Sequence, residues 1–228
     1  CCLYVKRYSI ILRRSRAISI CSFCSCRRRR MTFKPQIPHW GEANNKFSEK
    51  LYKYHNWLLE TGIKNGLISK KDPQFVWDEF IIHSLYFGKI IKELDQTFDS
   101  IYDLGTGGGI PGIPVAITNP KNQFRLVDIS ESRVFELQRL KNILNLNNIE
   151  IIQKDARSVV SNNKLYISRC YVSSKEALNS IKKNKNTVYI VSSNGEKIEH
   201  DKNMFHVKQE NFTINSTDIR HIDVITVR

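Results

Sequence analysis

Asp103-Leu-Gly-Thr-Gly-Gly-Gly-Ile-Pro-Gly112 decides how this chain is read. Ile101 to Leu104 has the length and apolar character of a buried strand, and Pro111 to Ile117 reads as a short helix. The glycines therefore join a strand to a helix. Five of them fall within residues 105–112, and their backbone entropy is a cost that an ordinary turn need not carry. The cost is explained if the backbone passes close to a ligand at the carboxyl end of a sheet.

The same texture continues downstream. Phe124 to Ile129 reads as a strand, with a second acid, Asp128, near its end. Glu131 to Leu146 reads as a helix, with Val134, Leu137, Leu140, Ile143 and Leu144 on one face. Ile149 to Gln153 is a third strand, followed by Asp155-Ala156. Lys164 to Ser168, Val188 to Val191, Met204 to Val207 and Ile222 to Val227 are further strand candidates, and Ser173 to Ile181 is helical. Strands alternating with helices predict an α/β fold, a doubly wound, mostly parallel sheet of seven strands.

Upstream the pattern is helical only. Phe47, Leu51, Tyr54, Leu58 and Leu59 recur at helical spacing over Glu42 to Glu60, and Gly62, Asn65 and Gly66 end that run. Asp72-Pro73 opens a second helix with proline in its first turn. The division expected is a segment 1–30, a helical extension 31–97 and an α/β domain 98–228.

Hydrophobic residues make up 41% and charged residues 25% of 228 residues, as in ordinary globular proteins. No run approaches ~18 uncharged apolar residues, so no transmembrane helix is expected. Residues 1–30 hold nine Lys and Arg and no acid, which leaves +5 of the +14 net charge for the rest, a mildly basic body compatible with nucleic acid. Five of the six cysteines also lie there, so the body is no disulfide scaffold and a reducing compartment, the cytoplasm, is expected. Cys21-x-x-Cys24-x-Cys26 lacks a fourth ligand at zinc spacing, and no metal is expected. Met31 is read as the natural start, with residues 1–30 as upstream translated or disordered sequence. A transit peptide or an RNA-binding arm are the alternatives.

Two ligands compete for the glycine loop. Gly107, Gly109 and Gly112 match the dinucleotide spacing. Asp103, Gly105, Gly107 and Gly109 match D-x-G-x-G-x-G, the S-adenosylmethionine loop of Rossmann-like methyltransferases. The early Gly105, the strand-end Asp103 placed to meet the ligand's amino group, Asp128 placed to grip ribose hydroxyls, and Asp155-Ala156 beside adenine favour S-adenosylmethionine.

With its flanks, Asp103 to Ile117 resembles the glycine loop of the RsmG (GidB) family, bacterial methyltransferases acting on guanine N7 of small-subunit ribosomal RNA. The resemblance continues through Leu126 to Leu137, Leu146 to Glu150, Ile167-Ser-Arg-Cys170 and Arg220 to Val224. It implies a class I methyltransferase domain over 98–228, S-adenosylmethionine as cofactor, and ribosomal RNA or the small subunit as partner; a monomer without membrane association is expected. The family's cofactor contacts fall on Gly105, Ile110, Ala156, Arg157 and Arg169. Arg157 departs, replacing an acid that Asp155 could supply. Other departures lie on the substrate side. Glu79-Phe80 stand for Arg-His, His83 for Asp, and Asn194 for Lys. They keep open a second function, a degenerate relative that binds cofactor or RNA without methyl transfer. A nicotinamide oxidoreductase is a distant third.

No catalytic residue is assigned. Guanine N7 carries a free lone pair and needs no general base. Carbon methylation of pyrimidines would want a cysteine nucleophile, but Cys170 reads as a packed strand-end residue. Lys64, Lys70, Lys71, Arg169 and Arg220 are candidates for RNA phosphates, and Trp40, Tyr54, Trp57 and Trp77 for base stacking. The commoner role of each type is solvated surface or core. His83 and His221 are read as structural.

Overall fold

The computed structural model describes residues 36–38, 45–214 and 218–227. The expectations for residues 1–30, Met31, the cysteine triplet and Trp40 lie outside the described residues. Helix α1 (Asn45–Trp57) runs into a π-helical turn, Leu58–Gly62. Asp72 caps the next helical stretch by accepting from the Phe75 amide at 3.0 Å, with Pro73 first in the helix. That stretch comprises α2 (Pro73–Val76), a second π turn (Trp77–Ile82) and α3 (His83–Lys92). A π turn widens the hydrogen-bond step to five residues, which re-aims side chains and loosens the pairing of its carbonyls.

Then follow β1 (Ser100–Leu104), α4 (Gly112–Thr118), β2 (Gln123–Asp128), α5 (Glu131–Leu144), β3 (Ile149–Gln153), a 3-10 turn (Ala156–Val159), β4 (Leu165–Ser168), α6 (Ser174–Ile181), β5 (Val188–Ser193), β6 (Phe205–Ile214) and β7 (Asp218–Val227). They form the expected seven-stranded sheet, in the order β3-β2-β1-β4-β5-β7-β6. The first five strands are parallel, β7 runs antiparallel to β5, and β6 runs antiparallel to β7. The direction of winding reverses between β1 and β4, so the glycine loop after β1 opens at the switch point.

Period-2 alternation divides the strands between two cores. Ile101, Phe124, Leu126, Ile151, Ile167, Ile190 and Ile222 join one core with the helices that precede the sheet and with α4 and α5. Tyr102, Leu104, Val127, Tyr166, Tyr189 and Ile225 join the other, under α6. There Tyr102, Tyr166 and Tyr189 sit in register on adjacent strands with ring centroids 5.6 and 5.8 Å apart. Among the described residues no helix is long and apolar enough to cross a membrane.

Three expectations are corrected. The last two strands are ten residues each and pair along their whole length, longer than Met204–Val207 and Ile222–Val227. Polar residues such as Lys208, Gln209, Glu210 and Asn211 conceal β6, which pairs on one side only. Helix α5 stops at Leu144, because Asn145 takes a left-handed cap (φ 48°). Ile143 is exposed, while Leu137, Leu140 and Leu144 carry the buried stripe.

Candidate active site

The glycine loop is held from both ends by carboxylates. The Gly105 and Thr106 amides donate to the Val127 carbonyl at 2.9 and 3.1 Å, which pins the loop to the end of β2. Asp128 completes the link. Its Oδ2 accepts from the Gly107 amide at 3.0 Å, its Oδ1 from the Ser130 amide at 2.9 Å, and Arg133 approaches at 3.4 Å. Asp128 is thus a buried anion at the mouth of the crevice, already wired to the loop.

Asp103 lies under the loop at the end of β1. It is fully buried, and its Oδ2 accepts from Thr106 Oγ1 at 2.6 Å and from the Gly112 amide at 2.8 Å. A β-carbon at Gly112 would lie 2.5 Å from that oxygen, so the closure demands glycine. Burial raises the Asp103 carboxyl to about 7, against the two hydrogen bonds that favour its charge. Through Oδ2 Asp103 locks the loop from inside, while its Oδ1 is buried without a protein partner among the described residues. From the helical segment, the buried Tyr54 hydroxyl donates to the Gly108 carbonyl at 2.8 Å. Ile110 packs, partly buried, against the first core.

At the end of β3, Asp155 caps the 3-10 turn through the Arg157 amide at 2.9 Å and pairs with the Arg157 guanidinium at 2.7 Å. The arginine that departs from the family pattern is therefore paired with its own neighbour, and Ala156, between them in sequence, is buried. Ile129 lies next to Asp128 and is 70% exposed, an apolar side chain facing solvent at the carboxyl end of the sheet. The signal was in the sequence, an isoleucine directly after the strand-end acid, but it reads there as strand.

Between β1 and β4 the structure places a residue that the sequence did not single out. Gly105 has φ +68°, and a β-carbon on it would run into the Tyr171 ring. Tyr171 follows Cys170, which is not packed as expected but exposed, with a left-handed φ of 56°. By contrast, a β-carbon at Gly107 would meet nothing nearer than the Gly105 carbonyl at 3.9 Å, so the loop is open on that side.

Arg169, expected to face the crevice, turns to the second π turn. Its guanidinium donates to the Glu79 carbonyl and pairs with the Glu79 carboxylate at 3.2 Å. Arg220 grips the other oxygen of the same carboxylate at 2.6 Å. One acid thus holds both arginines that were candidates for RNA phosphate. His83 lies beside them, packed on Phe87 and Phe212. Burial first, and then the two guanidiniums, hold its imidazole down to about 2, so it is neutral. Tyr54, Trp57 and Trp77 are core residues and are not available to stack on bases. Lys64, Lys70 and Lys71 stay exposed.

A pocket of about 680 Å³ opens at the ends of β4 and β5, lined by Cys170, Val172, Ser173, Lys175, Ser193 and Asn194 among others. It lies across the switch point from Asp128. Among the described residues no group of His, Cys, Asp or Glu is placed to hold a metal ion.

A model of the family described as GidB, rRNA small subunit methyltransferase G, matches residues 47–224. Ribosomal RNA small subunit methyltransferase G of Flavobacterium johnsoniae is 33% identical over 137 residues, covering 60% of this chain and 63% of that protein. The protein of the same name from Bacteroides thetaiotaomicron is 29% identical over 189 residues, covering 77% of this chain and 89% of that one. A crystal structure of magnesium protoporphyrin IX methyltransferase from Synechocystis PCC 6803 with bound SAM aligns at TM-score 0.48 and 16% identity, over 78% of this chain and 97% of that one.

Proposed function

We propose a function from one premise: the chain belongs to the GidB family, rRNA small subunit methyltransferase G. The reading is S-adenosylmethionine-dependent methylation of guanine N7 in small-subunit ribosomal RNA, carried out by residues 98–228 with the helices of 31–97 shaping the cleft. It takes the cytoplasm as its compartment and a monomer as its working form.

The observation that carries the reading is the carboxylate–glycine loop assembly at the switch point. Asp128 is a buried anion fixed beside the open flank of Gly107, with the apolar Ile129 next to it. These groups fit an adenosine with free ribose hydroxyls. A pyrophosphate would meet a carboxylate where it needs donors. Asp128 is assigned to the ribose, Ile129 and Ala156 to the adenine, and Gly105, Gly107 and Ile110 to the wall along the ligand. Asp155 and Arg157 sit at the rim, where their ion pair is solvated and holds the turn rather than a charge on the ligand. Bound S-adenosylmethionine supplies an electrophilic methyl group. The chain's own residues align the acceptor and exclude water, and no residue need take a proton from N7.

A second reading, cofactor or RNA binding without transfer, is favoured by one observation. Glu79 neutralises part of the charge of Arg169 and Arg220, the arginines otherwise suited to phosphate. Calorimetry on the full chain tests the cofactor. S-adenosylhomocysteine should bind and NAD should not. Binding of NAD with no response to S-adenosylhomocysteine would overturn the reading.

A further inference from the structure

We propose that Tyr171 forms the wall of the cofactor crevice at its methyl-donor end and recognises the positive charge of the sulfonium. The inference rests on the S-adenosylmethionine reading and adds a residue that the glycine-loop motif does not include.

Three features place it. The Tyr171 ring occupies the space that a side chain at Gly105 would fill, so the first residue of the loop is glycine to admit this ring. Arg169 and Tyr171 leave the end of β4, the parallel neighbour of β1, and diverge. Arg169 turns to Glu79, and Tyr171 turns over the start of the loop. The divergence is produced at Cys170, whose φ of 56° is a conformation that side-chain-bearing residues rarely adopt. A strained residue whose effect is to lay an aromatic ring, 39% exposed, across a ligand loop points to a binding role for that ring.

The ring's seat over Gly105, just after β1, says which end of the ligand it meets. With adenine at Ala156 and ribose at Asp128, the crevice runs from β3 across β2 to the β1–β4 gap, and the far end of the ligand falls beside Tyr171. The phenol is close enough to the site's charges to feel them. Burial first, and then Asp155, raise it, Arg157 opposes, and Asp128 and Glu176 raise it further, so the hydroxyl reaches back toward the β3 end while the base of the ring lies on Gly105. A neutral, electron-rich ring among carboxylates suits a cationic sulfonium better than the uncharged thioether left after transfer.

The test compares the two ligands rather than either alone. Equilibrium binding of S-adenosylmethionine and of S-adenosylhomocysteine is measured on the full chain for wild type, Tyr171→Phe and Tyr171→Leu. Leucine keeps apolar bulk and removes the π face. It should weaken S-adenosylmethionine by about two- to fivefold while changing S-adenosylhomocysteine by less than about twofold, and phenylalanine should retain the wild-type ratio. A purely structural wall would move both ligands together, and that result, or an unchanged ratio in the leucine variant, overturns the inference while leaving the cofactor reading intact. A wild-type chain that binds neither ligand removes the cofactor reading and the inference with it.

Discussion

Replacing Glu79 with alanine should lower the unfolding free energy by about 3–5 kcal/mol, the usual cost of leaving buried charge without its partner. The Glu79 side chain is 12% exposed, and those of Arg169 and Arg220 are 10% and 29%. One carboxylate therefore pairs with two guanidiniums drawn from β4's end and from β7, 90 and 141 residues away in sequence. Neutral His83 offers no charge to replace it. Glu79→Gln should fall between alanine and wild type, since an amide oxygen can accept from only part of the array. Glu79→Arg, which restores the family residue, should be at least as destabilising as alanine, because it sets a third cation against two. Urea unfolding followed by circular dichroism reads all three, and a loss below about 1 kcal/mol for alanine would show that the cluster is solvated.

Asp128→Ala should weaken binding of S-adenosylhomocysteine by about 1–3 kcal/mol, roughly five- to 150-fold, the range for losing a charged hydrogen-bond partner. The wiring of Asp128 makes the upper end the expectation. The same carboxylate that would hold ribose also accepts from the Gly107 and Ser130 amides, so its removal frees the loop as well. Asp128→Asn keeps one oxygen acceptor and should lose less. Calorimetry measures the difference, and equal affinity in wild type and alanine variant would take Asp128 out of the site.

The sequence disclosed the parts of this protein that local chemistry writes. The glycine run between a strand and a helix, the acids near strand ends and the 3.6-residue pattern of α5 are short-range signals, and the sheet followed from their alternation. What it concealed depends on contacts across the fold. Glu79 read only as a departure from a family pattern, because its partners lie far along the chain and a π turn, which leaves no mark in composition, aims it at them. Asp103 also closes the loop through Oδ2, which left no mark in the sequence. Its burial follows from Gly112 closing back on it, a tertiary fact. Tyr171 was invisible because the left-handed Cys170 that presents it has no sequence signature outside glycine and asparagine. The β6–β7 hairpin was clipped because a strand that pairs on one side only carries polar residues like those of a loop.

Transfer of tritiated methyl from S-adenosylmethionine to small ribosomal subunits that lack the modification, followed by nucleoside analysis, tests the central claim most directly. The wild-type chain should label 7-methylguanosine. Arg169→Lys should label it less and also lower the unfolding free energy, since lysine cannot bridge the Glu79 carbonyl and carboxylate with a planar fork. A chain that binds S-adenosylhomocysteine yet leaves subunits and naked RNA unlabelled would contradict methyl transfer and establish a cofactor-binding relative in its place.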